Sequence, residues 1–268
     1  QIVWGVRASN MDVSRYDWLA RMSLRLSAFL SRFPDAIITN SFAGLRFHKD
    51  IGYKTERMKV IPNGIDTKLF KPDHLSGFRL RDEWGIDEET ITIGLVGRLD
   101  PMKDHATFLR AVKIFDQKEC SVRFVCVGDG KEPYKSEIHS LCRRLGLNGS
   151  IIWAGERCDM TAVYNSMDIV TSSSSFGEGF PNVIGEAMAC GVPCVVTDIG
   201  DSAIIVGETG IVVPPEDPQS LADGWRSMLK RLNDKSYSIK EMARARIVSH
   251  YNSEIFIQKT SKKFLDLL

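Results

Sequence analysis

The 268-residue chain has almost no excess charge: 35 Lys and Arg against 34 Asp and Glu, a net of +1. That balance makes no field favouring nucleic acid. Its six cysteines (Cys120, Cys126, Cys142, Cys158, Cys190, Cys194) form no C-x-x-C pair, and the five histidines are scattered. No metal-ligand spacing results, and reduced, buried thiols in a cytoplasmic protein are expected rather than disulfides or zinc. No D-x-D triplet occurs. No apolar run reaches the length of a membrane span, and no signal peptide, internal repeat or low-complexity tract is present. The chain starts at Gln1, without Met and directly in an apolar strand pattern, so the reading expects that upstream sequence is missing.

What is present is ordinary globular composition, 43% hydrophobic and 26% charged. From about residue 91 short, almost continuously apolar runs alternate with helical patterns. "ITIGLVG", "VRFVCVG", "SIIWAG", "DIVTSS", "PCVVT" and "GIVVP" read as buried parallel strands. "DHATFLRAVKIFDQ" and "YKSEIHSLCRRLG" read as helices, the first with Phe108, Val112 and Phe115 on one face, the second capped by Gly146. The class is α/β, an open doubly wound sheet whose ligands bind beyond the carboxyl ends of the strands. Residues 1–70 carry a shorter series, with strands at 2–6, 35–39 and 57–61 and helices at 14–33 and 42–50. The turn-rich "IPNGIDTKLFKPD" follows. Residues 216–268 read as helical.

The segment "SSSSFGEGFPNVIGEAMACGVPCVVTDIGDS" (172–202) carries the densest chemistry. Glu178 falls in a loop after a strand, between Gly177 and Gly179, whose small size admits close backbone approach to a ligand. Pro181 fits a first helical position, and "NVIGEAMAC" continues the helix. The free N–H groups of Asn182, Val183 and their neighbours, with the helix dipole, make an anion site suited to phosphate. Glu186 lies eight residues after Glu178; at about 1.5 Å rise per helical residue the two acids stand roughly a sugar plus a diphosphate apart and can accept from hydroxyls at opposite ends of a long ligand. Alone, either acid reads as well as a solvated or capping charge, but Glu186 sits in an apolar helix and needs a partner.

In "GLVGRLDPMKDH", Gly97 ends a strand, and Arg98 and Lys103 follow in the loop. Two cations there can neutralise a diphosphate and its departing charge; the plainer reading is two surface cations. "VGDGKEP" is no dinucleotide fingerprint, since Pro133 stands where the third glycine belongs. His105 is the one histidine near the presumed site. "RYDWLARMSLRLSAFLSRF" (15–33) is a basic amphipathic helix with Trp18, Met22, Leu26, Phe29 and Phe33 on one face. The favoured reading packs it on its own sheet with solvated arginines; the other rests it on an anionic membrane.

Together these segments resemble the retaining GT-B glycosyltransferases of family 4. "EGFPNVIGE" fits the family's E-x7-E motif and "GRLDPMK" its Arg…Lys motif. "IPNGID", "VGDG", "EAMACGVPCVVTD" and "GIVVPPEDPQSLA" fall in family order. The resemblance covers almost the whole chain, most strongly 57–222. It implies a remainder of an N-terminal Rossmann-like domain at 1–75, a donor-binding domain at 76–250 and a helix crossing back at 251–268. It implies that Arg98 and Lys103 bind the donor diphosphate and that Glu178 meets the transferred sugar. Glu186 would hold the ribose, and the backbone of Gly179, Phe180, Pro181, Asn182 and Val183 would contact sugar and phosphate. Glu156 and Arg157 would lie near the base. It implies a metal-free, cofactor-free transfer with retention, from a UDP-, GDP- or ADP-sugar to a glycan or lipid-linked acceptor, with peripheral membrane contact left open. A same-fold epimerase or phosphorylase and a binding fragment without turnover are the alternatives. Two departures stand out. Arg7 holds the place where many members carry a histidine, and either faces phosphates or an acceptor or pairs with an acid such as Asp12. The family's glycine pair is here "IGDS", with Gly200, Asp201 and Ser202 expected to form a turn near the sugar.

Overall fold

The computed structural model describes residues 1–7, 18–115, 121–234, 236 and 238–267. Asp12, Arg15 and Cys120 lie outside the described residues.

Two parallel sheets organise the chain. The first has three strands in the order β1 (Val3–Val6), β2 (Ala36–Thr39) and β3 (Met58–Val60). Helices α1 (Trp18–Leu30) and α2 (Phe42–Asp50) form its connections. The second has six strands: β4 (Ile91–Val96), β5 (Val122–Val127), β6 (Ile151–Gly155), β7 (Ile169–Ser172), β8 (Cys194–Thr197) and β9 (Ile211–Val213). Their spatial order is β6-β5-β4-β7-β8-β9, all parallel. All nine strands fall where the apolar runs place them.

That order reverses direction between β4 and β7, and a crevice opens where neighbouring connections leave to opposite faces. Gly97 and Arg98 leave the end of β4, and the Ser172–Glu178 segment leaves the end of β7. The topology thus brings the two chemical segments together, 75 positions apart along the chain.

Helices cover both faces of the large sheet, as its twice-buried strands require. One face packs under α7 (Asn182–Ala189) and α10 (Ile239–His250), with Ile184, Met188, Ala243 and Ile247 buried. The other packs under α4 (His105–Ile114), α5 (Tyr134–Arg144) and α9 (Pro218–Asn233). There Phe108, Phe115, Phe124 and Trp225 form an edge-on aromatic cluster, and the Trp225 indole donates to Thr171 Oγ1 at 2.9 Å. The expected Phe108–Val112–Phe115 face is in this core, and Gly146 ends α5 at φ +73°.

Three helices had no counterpart in the sequence reading: α3 (His74–Glu83), α6 (Met160–Asn165) and α8 (Ser202–Val206). Helices α3 and α6 bury few side chains, and α8 is too short to show a period. The helical tail resolves into α9, α10 and α11 (Ser253–Leu265). Helix α11 returns to the first lobe, where Phe256, Thr260 and Phe264 face Val3–Arg7 across a 260 Å³ cavity.

Three expectations need correction. Cys158, expected among the buried thiols, is exposed, while Cys126, Cys142, Cys190 and Cys194 are buried. Pro181 precedes α7 instead of opening it, with extended backbone at ψ 103°. The apolar stripe of α1 does not pack on its sheet: Trp18, Met22, Leu26 and Phe29 are more than half exposed, as is Phe33 just beyond the helix. The helix docks through the small residue Ala28, its one buried position, because the three-stranded sheet offers too little surface to cover a wide stripe. No helix among the described residues is long and apolar enough to cross a membrane.

Candidate functional site

The site grows from the two loops at the crevice. After β4, Asp100 accepts the Met102 N–H and closes a single helical turn, Pro101–Lys103. Asp104 then adopts a left-handed conformation, φ 45°, and caps α4 by accepting from Thr107. This tight reversal turns Lys103 back over the strand end. Its stem lies on Gly97, where an added Cβ would sit 3.4 Å from three Lys103 side-chain carbons.

After β7, the serine run is a set of hydrogen-bond partners. Ser173 Oγ donates to the Lys103 carbonyl at 2.8 Å, and the Ser175 N–H donates to the Met102 carbonyl at 2.9 Å. The chain turns at Gly177, φ +79°, and delivers Glu178 into the crevice. There Lys103 Nζ and Ser174 Oγ both reach Glu178 Oε1, at 2.5 and 2.7 Å. Glu178 is 6% exposed, so this charge is held by a cation and a hydroxyl, as a buried carboxylate must be.

Gly179, Phe180 and Pro181 are buried and lead into α7. Pro181 sits at the N-cap, no side chain caps the helix, and Asn182 is exposed. No described side chain thus takes the Asn182 and Val183 N–H groups, which stand at the positive end of the helix dipole. One turn on, Glu186 accepts from the Tyr164 hydroxyl at 2.6 Å, which is the partner its apolar helix demanded. Burial raises the Glu186 carboxyl above the usual range, and the Tyr164 bond opposes that shift. Val183 is half-buried beside it.

Arg98 is exposed and pairs with no described residue. It lines a cleft of about 610 Å³ with Gly128–Glu132, Tyr134 and Glu156. "VGDG" therefore contributes a wall of this cleft; Gly128, at φ +128°, comes so close that an added Cβ would lie 2.2 Å from the Gly97 carbonyl oxygen. Arg157 is not brought to this cleft. Its guanidinium is held by Asp159 at 2.8 and 2.7 Å and by Glu83 at 2.7 Å, near the Trp84 ring. Arg7 lies across at the end of β1, exposed, lining the cavity under α11. Its proposed partner Asp12 lies outside the described residues. His105 is fully buried next to Tyr134, and burial lowers its pKa to about 4.

Sequence reasoning missed Ser174, Tyr164, Asn63 and the reach of Asp201. Asn63 Nδ2 donates to Asn182 Oδ1 at 2.8 Å and joins the connector to the start of α7. The serine run was a visible signal for Ser174. Tyr164 carried none, because its helix is too short to show a period.

Residues 90–231 match the family model described as glycosyl transferases group 1. The chain belongs to that family, and its two-sheet architecture is of the GT-B type. It is 31% identical over 183 residues to the D-inositol 3-phosphate glycosyltransferase of Corynebacterium glutamicum, covering 65% of this chain and 44% of that protein. It is 26% identical over 226 residues to the UDP-Gal:alpha-D-GlcNAc-diphosphoundecaprenol alpha-1,3-galactosyltransferase of Escherichia coli, covering 82% of this chain and 57% of that one. The chain thus spans about half the length of these relatives. Among solved structures it superimposes on Anabaena Alr3699/HepE in complex with UDP at TM-score 0.89, with 25% identity over 98% of this chain and 72% of that one. The complex of the same protein with UDP-glucose gives TM-score 0.89 and 26% identity, with the same coverage.

Proposed function

We propose that the chain carries the donor site of a family 4 glycosyltransferase. It would move a sugar, with retention and without a metal or cofactor, from a nucleotide diphosphate to a glycan or lipid-linked saccharide. The observation that carries this is the Lys103–Glu178 pair at the switch point, flanked by the uncapped start of α7 and the open Arg98 cleft. When a donor enters, Lys103 exchanges Glu178 for the β-phosphate, and Arg98 matches the second charge. The Glu178 carboxylate, released by Lys103 and still held by Ser174, then accepts from sugar hydroxyls. Glu186, held in place by the buried Tyr164 hydroxyl, takes the ribose, and the Gly128–Glu132 wall with Glu156 takes the base, with Arg157 ordering that loop. The N–H groups of Asn182 and Val183 stabilise charge on the departing diphosphate. The UDP and UDP-glucose complexes of HepE make UDP the first donor class to try.

The division into an N-terminal lobe at 1–75, a donor lobe at 76–250 and a returning helix at 251–268 is part of this proposal. So is completion of the first lobe by upstream chain, supported by the exposed α1 stripe and the length of the relatives. A cytoplasmic location with peripheral membrane contact through that stripe and its arginines is the other use of the same surface. The relatives' greater length favours one second reading, donor binding without turnover. Titration with UDP and UDP-glucose, followed by an assay of sugar release in chelator, separates the two. Binding with release surviving chelation fits the proposal, release restored only by a divalent ion removes the metal-free claim, and binding without release fits the second reading.

A further inference from the structure

The loop carrying Glu178 and Gly179 is tied to the other lobe through Asp201. This residue occupies the N-cap position of α8, where an aspartate ordinarily accepts an N–H from its own first turn. Here it makes no such bond. Its carboxylate crosses instead to α2 in the first lobe. Oδ2 accepts from the Phe42 N–H at 2.7 Å and Oδ1 from the Ala43 N–H at 2.8 Å. Ser41 Oγ accepts from the Gly44 N–H at 2.9 Å. The first turn of α2 is thus satisfied jointly by its own serine and by a residue of the donor lobe.

The other end of the link is backbone. The Asp201 N–H donates to the Gly179 carbonyl at 2.9 Å. Gly200 stands at φ +65°, and an added Cβ would lie 2.7 Å from both the Glu178 and Gly179 carbonyl oxygens. Only glycine lets the two segments lie this close. Asp201 is 2% exposed. Burying a carboxylate is costly unless its oxygens are bonded, and both are used on one helix start.

We propose that Asp201 is a positioning residue, a clasp that couples the Glu178–Gly179 loop to the docking of α2, so that neither moves without the other. The proposal deepens the donor-site reading and rests on it for its functional meaning. A residue that merely stiffened its own turn would cap α8 and leave α2 alone.

Amide hydrogen exchange of the whole chain tests it, with Asp201→Asn as the shape-preserving variant and Asp201→Glu as the charge-preserving one. The asparagine loses one acceptor, so the Phe42 and Ala43 amides exchange about tenfold faster or more. The amides of the 177–183 loop accelerate with them, and those of β5 and α4 stay unchanged. Asp201→Glu restores part of the protection at both ends. With UDP as probe, the wild-type chain gains protection at Phe42 and Ala43, and Asp201→Asn binds UDP without that gain. Acceleration of α2 alone, of the loop alone or of neither overturns the clasp, as does equal UDP protection of α2 in both proteins. Failure of UDP to bind the wild type counts against the donor site, while the ligand-free exchange still decides the clasp.

Discussion

Two helices rich in apolar side chains end in opposite environments. Helix α7 buries Ile184, Gly185, Ala187, Met188 and Ala189. Helix α1 buries only Ala28 and shows Trp18, Met22, Leu26 and Phe29 to solvent. Both carry the pattern of a helix on a sheet. What differs is the partner: six strands covered on both faces under α7, three strands under α1. A sequence pattern states which face a helix wants to bury; the size of the surface opposite decides whether it can. The same contrast locates the chemistry. The well-covered sheet holds the switch point, and the Lys103–Glu178 pair hangs from it.

Substitutions that probe each region sharpen this contrast. Ile184→Ala leaves a cavity in the fully buried interior and is expected to cost about 2–5 kcal/mol in denaturant unfolding. A loss below about 1 kcal/mol would mean that α7 is not part of the rigid frame. Lys103→Ala is expected to weaken UDP by about 1.5–3 kcal/mol, as for a charge-assisted bond, and to leave uridine unchanged. Equal loss for both ligands would remove Lys103 from the diphosphate. Glu186→Ala is expected to weaken UDP and uridine alike, by about tenfold, since the ribose is common to both; an unchanged affinity would remove its ribose role.

A pH titration tests the core under the site. His105 has a folded pKa of about 4 against an ordinary 6.5. The unfolded chain binds the proton first, so stability is whole above pH 6.5 and falls as pH drops toward 4. The raised carboxyls of Glu186 and Asp201 act with the opposite sign, becoming easier to bury as they protonate. His105→Phe therefore isolates the histidine: its melting temperature should fall less between pH 6.5 and 4 than that of the wild type. Identical slopes would contradict the burial. The smallest effect belongs to the exposed helix. Leu26→Ser should change stability by no more than about 0.5 kcal/mol, and a larger loss would show that the stripe is already covered in solution.

Much of this was legible in the residues. The nine strands are short apolar runs bounded by turn residues, and such runs have few other solutions. Glu178, Lys103 and the glycines Gly97, Gly177 and Gly179 near them were visible because they sit where a buried sheet has no use for them. Pairing was less legible. That Lys103 meets Glu178 depends on strand order, which no local spacing encodes. Arg157 shows the reverse: it stood at the right rim, but Glu83, from a helix without a clear period, and its neighbour Asp159 hold it away from the cleft. Asp201 looked like a turn residue because its partners lie in the other lobe.

The central claim is a donor site that binds a nucleotide diphosphate through the crevice between β4 and β7. Calorimetric titration of the chain with UDP, GDP and ADP, repeated on Lys103→Ala, tests it most directly. The account predicts binding of one of the three, weakened in the variant. A folded chain that binds none of them, or binds one equally well without Lys103, would contradict it.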